Sequence, residues 1–256
     1  MPFVLSMTDL LHTVEMQPPQ DFSFAGAKLA PSEAVLLYGD RFSATLGPAW
    51  FGREKLLRAD CSVSSAEMSR AIWMAALLSL EAMGSIRFEV RHKPLLSPSG
   101  EKAVLLVAPL SSSFNLPLRC LEKRICRTLS QRSCRPDSLV YKLLEQEGRQ
   151  SRFNTLRLVK DGLLERGLLT IRRSRRLGIF GSDDYKLVRR TLTMVPDGGL
   201  EEISVLLNTT ETVRAALLTQ LRHLIEKGLA RARYISAKRV AIELADLANG
   251  ISGWFH

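Results

Sequence analysis

One stretch constrains the fold more than any other. From Ser65 to Met83 the chain reads SAEMSRAIWMAALLSLEAM, apolar on nearly every face of a helix. A helix of that kind is covered on all sides, so the rest of the chain has to wrap around it. A membrane span is the other home for such a segment. Its uninterrupted part ends at Glu81, however, short of the roughly 18–20 apolar residues that a bilayer requires. The stretch therefore reads as the central helix of a mainly α-helical domain.

The flanking sequence supplies the wrapping. Residues 1–28 read as an N-terminal arm, with a short helix at 7–16 ended by Pro18-Pro19, and residues 29–256 read as a single domain. APSEAVLLYG gives a short helix capped by Ser32 and stopped by Gly39. A loop with Gly47-Pro48 follows and carries Trp50 and Phe51. Two β-prone runs around Ser-Pro-Ser-Gly, within GSIRFEVRHKPLLSPSGEKAVLLVAPL, form a hairpin. Amphipathic helices come next: LPLRCLEKRICRTLS after Pro117, DSLVYKLLEQEG from Asp137 to Gly148, and NTLRLVKDGLLERG. TLTMVPDGG is a loop, and helices at 209–228 and 236–249 close the chain. LLSLEAMGSIRFE, LVKDGLLERGLLTI and LRHLIEKGLARARY share one pattern, a helix running into glycine and then into an extended segment.

Charge points to the partner class. Thirty-six Lys and Arg against 26 Asp and Glu give a net +10, which calls for nucleic acid, an anionic membrane or an acidic protein surface. The opening residues carry Asp9 and Glu15 and no basic cluster, so they do not read as a secretory leader. On that footing Cys61, Cys120, Cys126 and Cys134 read as reduced thiols of a cytosolic protein. They lack zinc-site spacing, and no phosphate-binding, nucleotide-binding, hydrolase or metalloprotease motif is present. Asp183-Asp184 and Glu201-Glu202 fall in a polar turn and at a helix start, where solvated acids belong. The expectation is a binding protein, not an enzyme, with no cofactor and no metal.

The segment IRRSRRLGIFGSDDYKLV, Ile171 to Val188, then stands out. Arg172, Arg173, Arg175 and Arg176 precede Leu177, Ile179 and Phe180, set among glycines. Two helices followed by a basic hairpin match the order of a winged helix, whose wing would lay the arginines on nucleic-acid phosphates. A membrane-docking hairpin uses the same residues differently: arginines on acidic headgroups, apolar side chains at the headgroup–acyl boundary. A third arrangement folds Ile179 and Phe180 back onto the domain and leaves the arginines solvated.

The order LAPSEAVLLYG, LLSLEAMGSIRFE, DSLVYKLLEQEG and NTLRLVKDGLLERGLLT resembles the Golgi phosphoprotein 3 family over roughly residues 29 to 235. The family's Glu-Lys-Gly-Val-Leu-Thr corresponds here to Glu165-Arg166-Gly167-Leu168-Leu169-Thr170. The resemblance implies a peripheral membrane protein that reads phosphatidylinositol 4-phosphate on Golgi membranes and holds the cytosolic tails of membrane proteins there. It also implies a hydrophobic hairpin directly after Gly167. The family's headgroup residues fall to Trp50, Arg70, Arg152 and Arg157. Trp73 occupies the aligned place of the first arginine, and Phe153 and Leu156 those of the last basic pair.

Overall fold

The computed structural model describes residues 23–24, 27–43, 52–93, 102–110, 115–130, 132–147, 154–176, 180–188, 194–209 and 211–252. In chain order these form α1 (Pro31–Leu37), a 3₁₀ turn (Gly39–Arg41), β1 (Arg53–Lys55), β2 (Ser62–Ser64), α2 (Ser65–Ala82), β3 (Ile86–Lys93) and β4 (Lys102–Pro109). Then come α3 (Leu121–Leu129), α4 (Pro136–Glu147), α5 (Thr155–Glu165), β5 (Leu169–Arg176), β6 (Phe180–Leu187), α6 (Gly199–Leu207) and α7 (Thr212–Ser252). The six strands pair as three antiparallel hairpins, β1–β2, β3–β4 and β5–β6. The fold is mainly α.

The central helix lies where the sequence places it. Ser64 caps α2 by accepting the Glu67 N–H, and Ile72, Trp73, Leu77, Leu78 and Leu80 are all fully buried. Helices α1, α3, α5, α6 and α7 pack around it. The Trp73 indole N–H donates to Thr155 Oγ1 at 3.0 Å, which ties α2 to the first turn of α5. Arg214 of α7 meets Glu81 at 2.5 Å, so the one acid that interrupts the apolar run is spent on a cross-helix pair. The core also takes in Phe24, from the segment read as an arm.

Two local expectations are corrected. Ser32 is not the cap of α1: the helix starts at Pro31, whose locked φ and missing N–H suit the first helical position, and Ala30 precedes it. The helix expected after Pro117 begins only at Leu121, because Arg119 adopts a left-handed φ of 65° and turns the chain first. That turn packs its Arg119 carbonyl against Gly162 of α5, where any Cβ would lie 2.6 Å from the oxygen.

The largest correction is at the C-terminal end. The two helices expected at 209–228 and 236–249 are one helix of 41 residues, about 60 Å long. Gly228 does not stop it. Instead Gly228 lets α7 close on α4, since a Cβ there would lie 2.7 Å from the Asp137 carbonyl and 2.9 Å from Val140 Cβ. Arg231 stacks on the Tyr141 ring one turn later, at 4.3 Å.

Candidate functional site

The basic hairpin grows out of a glycine-ended helix. At the end of α5 the Gly167 N–H bonds Leu164 O and the Leu168 N–H bonds Leu163 O, both at 2.9 Å, with Gly167 at φ 69°. This is the paired-bond helix stop that a left-handed glycine permits. Leu168 and Leu169 then bury themselves in the core, and Tyr185 and Leu187 pack beside them. Beneath this root Lys160 is buried, paired with Glu54 of β1, and its ammonium lies 4.4 Å from the centre of the Tyr185 ring. Burial of a lysine is tolerated here because a carboxylate and an aromatic face both meet it.

Arg172 and its register partner Asp184 are both exposed, and the ladder runs on for four more pairs, to Arg176 opposite Phe180. At about 3.4 Å per residue those four pairs extend the backbone ladder by roughly 14 Å. Arg173 stands opposite Asp183, and Arg175 opposite Gly181. The polar turn expected at Asp183-Asp184 is therefore strand β6. By register, two of the four arginines stand opposite aspartates. Leu177 and Ile179 lie outside the described residues, and Phe180 is described through its backbone position in β6.

The headgroup residues implied by the resemblance are only partly brought together. Trp50 and Arg152 lie outside the described residues. Arg70 forms an ion pair with Glu226 of α7, while Arg157 lies 4.0 Å from Asp161 on its own helix. Arg157 also keeps its Nε buried without a hydrogen-bond partner among the described residues. Trp73 is no ligand at all but the buried clamp onto Thr155. Sequence reading missed the company Arg70 keeps: Arg41 and Arg222 line the same groove of about 450 Å³, together with Ser43, Glu67 and Asn208. Arg41 is held there by an exposed pair with Glu201 at 3.2 Å.

A second missed cluster is interior. Glu33 of α1 and Glu122 of α3 are both fully buried. Glu122 accepts the Ser32 N–H at 2.8 Å and the Ser32 Oγ–H at 2.9 Å. Glu33 accepts the Ala30 N–H at 2.9 Å and pairs with Arg166, which also donates to the carbonyls of Lys28 and Gly162. Burial pushes the Glu33 carboxyl up to about 7 against the pull of the Arg166 guanidinium, and burial likewise raises Glu122. Both carboxylates are sealed from solvent, so the cluster acts as a clamp joining α1, α3 and the root of the hairpin. The Ser-Glu of the opening helix and the Glu-Arg-Gly before the hairpin, both visible as motifs, are the two sides of one contact. Nothing in their spacing announces it, because 133 positions separate Glu33 from Arg166.

Among the described residues no His, Cys, Asp or Glu group is assembled to hold a metal, the four cysteines form no disulfide, and no helix is long and apolar enough to cross a membrane. Compared with known proteins, the sequence matches no family model, and no curated protein matches it significantly.

Proposed function

We propose that this protein is a peripheral membrane protein that binds acidic phospholipid through the β5–β6 hairpin, as a divergent relative of the Golgi phosphoprotein 3 family. The observation that carries the reading is the ladder itself. It holds four arginines in the stretch that runs past the exposed Arg172–Asp184 pair and leads into Leu177, Ile179 and Phe180. Cations supply attraction to an anionic surface, and apolar side chains beyond them supply insertion; the two together give attachment that neither gives alone. Phosphatidylinositol 4-phosphate is the headgroup the resemblance implies. The groove of Arg41, Arg70 and Arg222 gathers three guanidinium groups able to meet a phosphomonoester. On this reading the protein works on the cytosolic face of Golgi or other acidic membranes, as an adaptor and not as an enzyme.

A nucleic-acid reading is less well supported. In a winged helix the second helix lays an exposed face in the major groove. Here α5 buries Thr155, Leu156, Leu158, Val159, Lys160, Gly162 and Leu163, and two of its less buried residues are the acids Asp161 and Glu165. Acids facing phosphates work against binding.

The test is co-sedimentation with neutral, phosphatidylserine-containing and phosphatidylinositol 4-phosphate-containing vesicles at about physiological salt, with duplex DNA as competitor. Ile179→Asp and Phe180→Asp are expected to lower vesicle binding with the fold intact by circular dichroism. Charge reversal of Arg172, Arg173, Arg175 and Arg176 is expected to lower it in a salt-dependent way. Unchanged vesicle binding by all these variants would sink the hairpin assignment, and DNA displacing vesicles would promote the winged helix.

A further inference from the structure

Beside the root of the hairpin runs a groove of about 360 Å³, floored by Lys160 and lined by four consecutive residues on each side, 54–57 and 184–187. Consecutive lining is informative. A groove against the face of a strand meets alternate residues, because side chains alternate from face to face. Four in a row on both sides means that the groove runs along backbone edges.

Hydrogen-bond parity agrees. In an antiparallel pair, residues that bond each other alternate with residues whose N–H and C=O point outward. The Val188 N–H bonds Leu168 O at 3.1 Å, which makes 168 and 188 a bonded pair, so Leu187 turns its backbone groups away from β5. The Leu56 N–H bonds Cys61 O at 3.0 Å and the Ser65 N–H bonds Gly52 O at 2.8 Å, so Lys55 turns its backbone groups away from β2. Each hairpin has two strands, and the edges of β1 and β6 meet at this groove without a backbone hydrogen bond from Lys55 to Leu187 among the described residues.

Two strand edges facing a common gap recognise one thing well, a third strand. We propose that the groove between β1 and β6 is a strand-addition site for an extended peptide carrying carboxylate side chains. The main chain of the peptide would bridge the two hairpins, and its apolar side chains would meet Leu56, Leu57 and Leu187. The preference for carboxylates comes from three lysines, Lys55, Lys160 and Lys186, against two acids, Glu54 and Asp184, in the lining, with Lys55 76% and Lys186 64% exposed on the two rims. Their present partners, Asp60 at 3.1 Å and Asp184 at 3.8 Å, are exposed ion pairs of the kind that exchange readily. The groove shares strand β6 with the proposed lipid-binding hairpin but is lined by 184–187, not by the residues proposed to insert.

The full chain is to be panned with displayed random peptides of about seven residues, enough to span the groove at about 3.4 Å per residue. The best binder is then measured by fluorescence anisotropy. Enrichment of alternating apolar sequences with acidic residues is expected. N-methylation at one alternate set of peptide amides should weaken binding about tenfold, with the other set nearly neutral, since the loss of one or two net hydrogen bonds is of that size. The double variant Lys55→Glu, Lys186→Glu should weaken peptide binding by a similar factor with the fold intact by circular dichroism, and Lys55→Glu alone, outside the hairpin, should weaken it while vesicle binding is retained. No enrichment over the double variant, or equal tolerance of N-methylation at every amide, would overturn the assignment. So would a large gain in peptide affinity on deleting residues 1–22, which would make the arm the resident strand, or a dimer that the peptide dissociates, which would make it a second copy.

Discussion

Two four-residue stretches of this chain are nearly the same and do opposite things. Glu165-Arg166-Gly167-Leu168 ends a helix and starts the basic hairpin, whereas Glu226-Lys227-Gly228-Leu229 lies in the middle of a 41-residue helix. At the first, glycine takes a φ of 69° and open space surrounds the missing Cβ. At the second, the missing Cβ is needed for contact with α4. Glycine thus has two separate uses, left-handed backbone and close approach, and the local sequence around it is silent on which applies. What separates them lies downstream. After Gly167 the apolar residues alternate, at Leu169 and Ile171, and a strand follows. After Gly228 they come at helical spacing, at Leu229, Ala232 and Ile235, and continue the buried stripe of Leu221 and Ile225.

The basic residue of each stretch differs as sharply. Arg166 reaches the buried Glu33, while Lys227 is exposed. The largest effect expected is therefore from Arg166→Ala, which leaves a carboxylate buried and unpaired and should cost about 3–5 kcal/mol above pH 7. Lys227→Ala should stay within about 0.5 kcal/mol. Urea denaturation of the two variants side by side measures the contrast, and similar losses would mean that the ion pair contributes little.

Next in size are the glycines. Gly228→Ala should cost about 1–3 kcal/mol through overpacking against Asp137 and Val140, despite alanine's better helix propensity. Gly167→Ala should cost roughly 1–2 kcal/mol through left-handed strain with no clash. Replacing each by D-alanine in a ligated chain separates the causes. The D-residue should relieve the strain at 167 and give no relief at 228, and an equal response at both would remove the distinction.

A further contrast is a pH dependence. Folded Glu33 holds its proton up to about pH 7, against 4.5 for an ordinary glutamate. Between those values the folded state binds more protons than the unfolded, so stability falls as pH rises through the window and levels off above it. Glu33→Gln should flatten that part of the melting-temperature profile, with the raised Glu122 carboxyl leaving a residual slope of the same sign. A profile unchanged by Glu33→Gln would place the titration elsewhere.

Helix content, the buried central helix, the β3–β4 and β5–β6 hairpins and the Gly84 and Gly167 helix stops were legible because each is written in local periodicity and turn chemistry. Gly84 repeats the same stop, with its N–H on Glu81 O and the Ser85 N–H on Leu80 O, both at 2.8 Å. The short β1–β2 hairpin escaped notice because three-residue strands are too short to show a period. The arginines of the candidate site were visible as a run, but not the carboxylates opposite them, since register pairs residues that are a hairpin apart.

The sequence by itself determined most of the helical segments, that one of them is central, and that a basic stretch ending in apolar residues follows Gly167. Only the tertiary structure decided that Gly228 sits inside a helix, that Arg166 closes on Glu33, that Arg41, Arg70 and Arg222 share a groove, and that residues 54–57 and 184–187 line one groove over Lys160. The physical reason is range. Propensity, capping and periodicity act within a few turns of chain, whereas burial of charge, close helix approach and edge juxtaposition depend on residues brought together from distant parts of the chain.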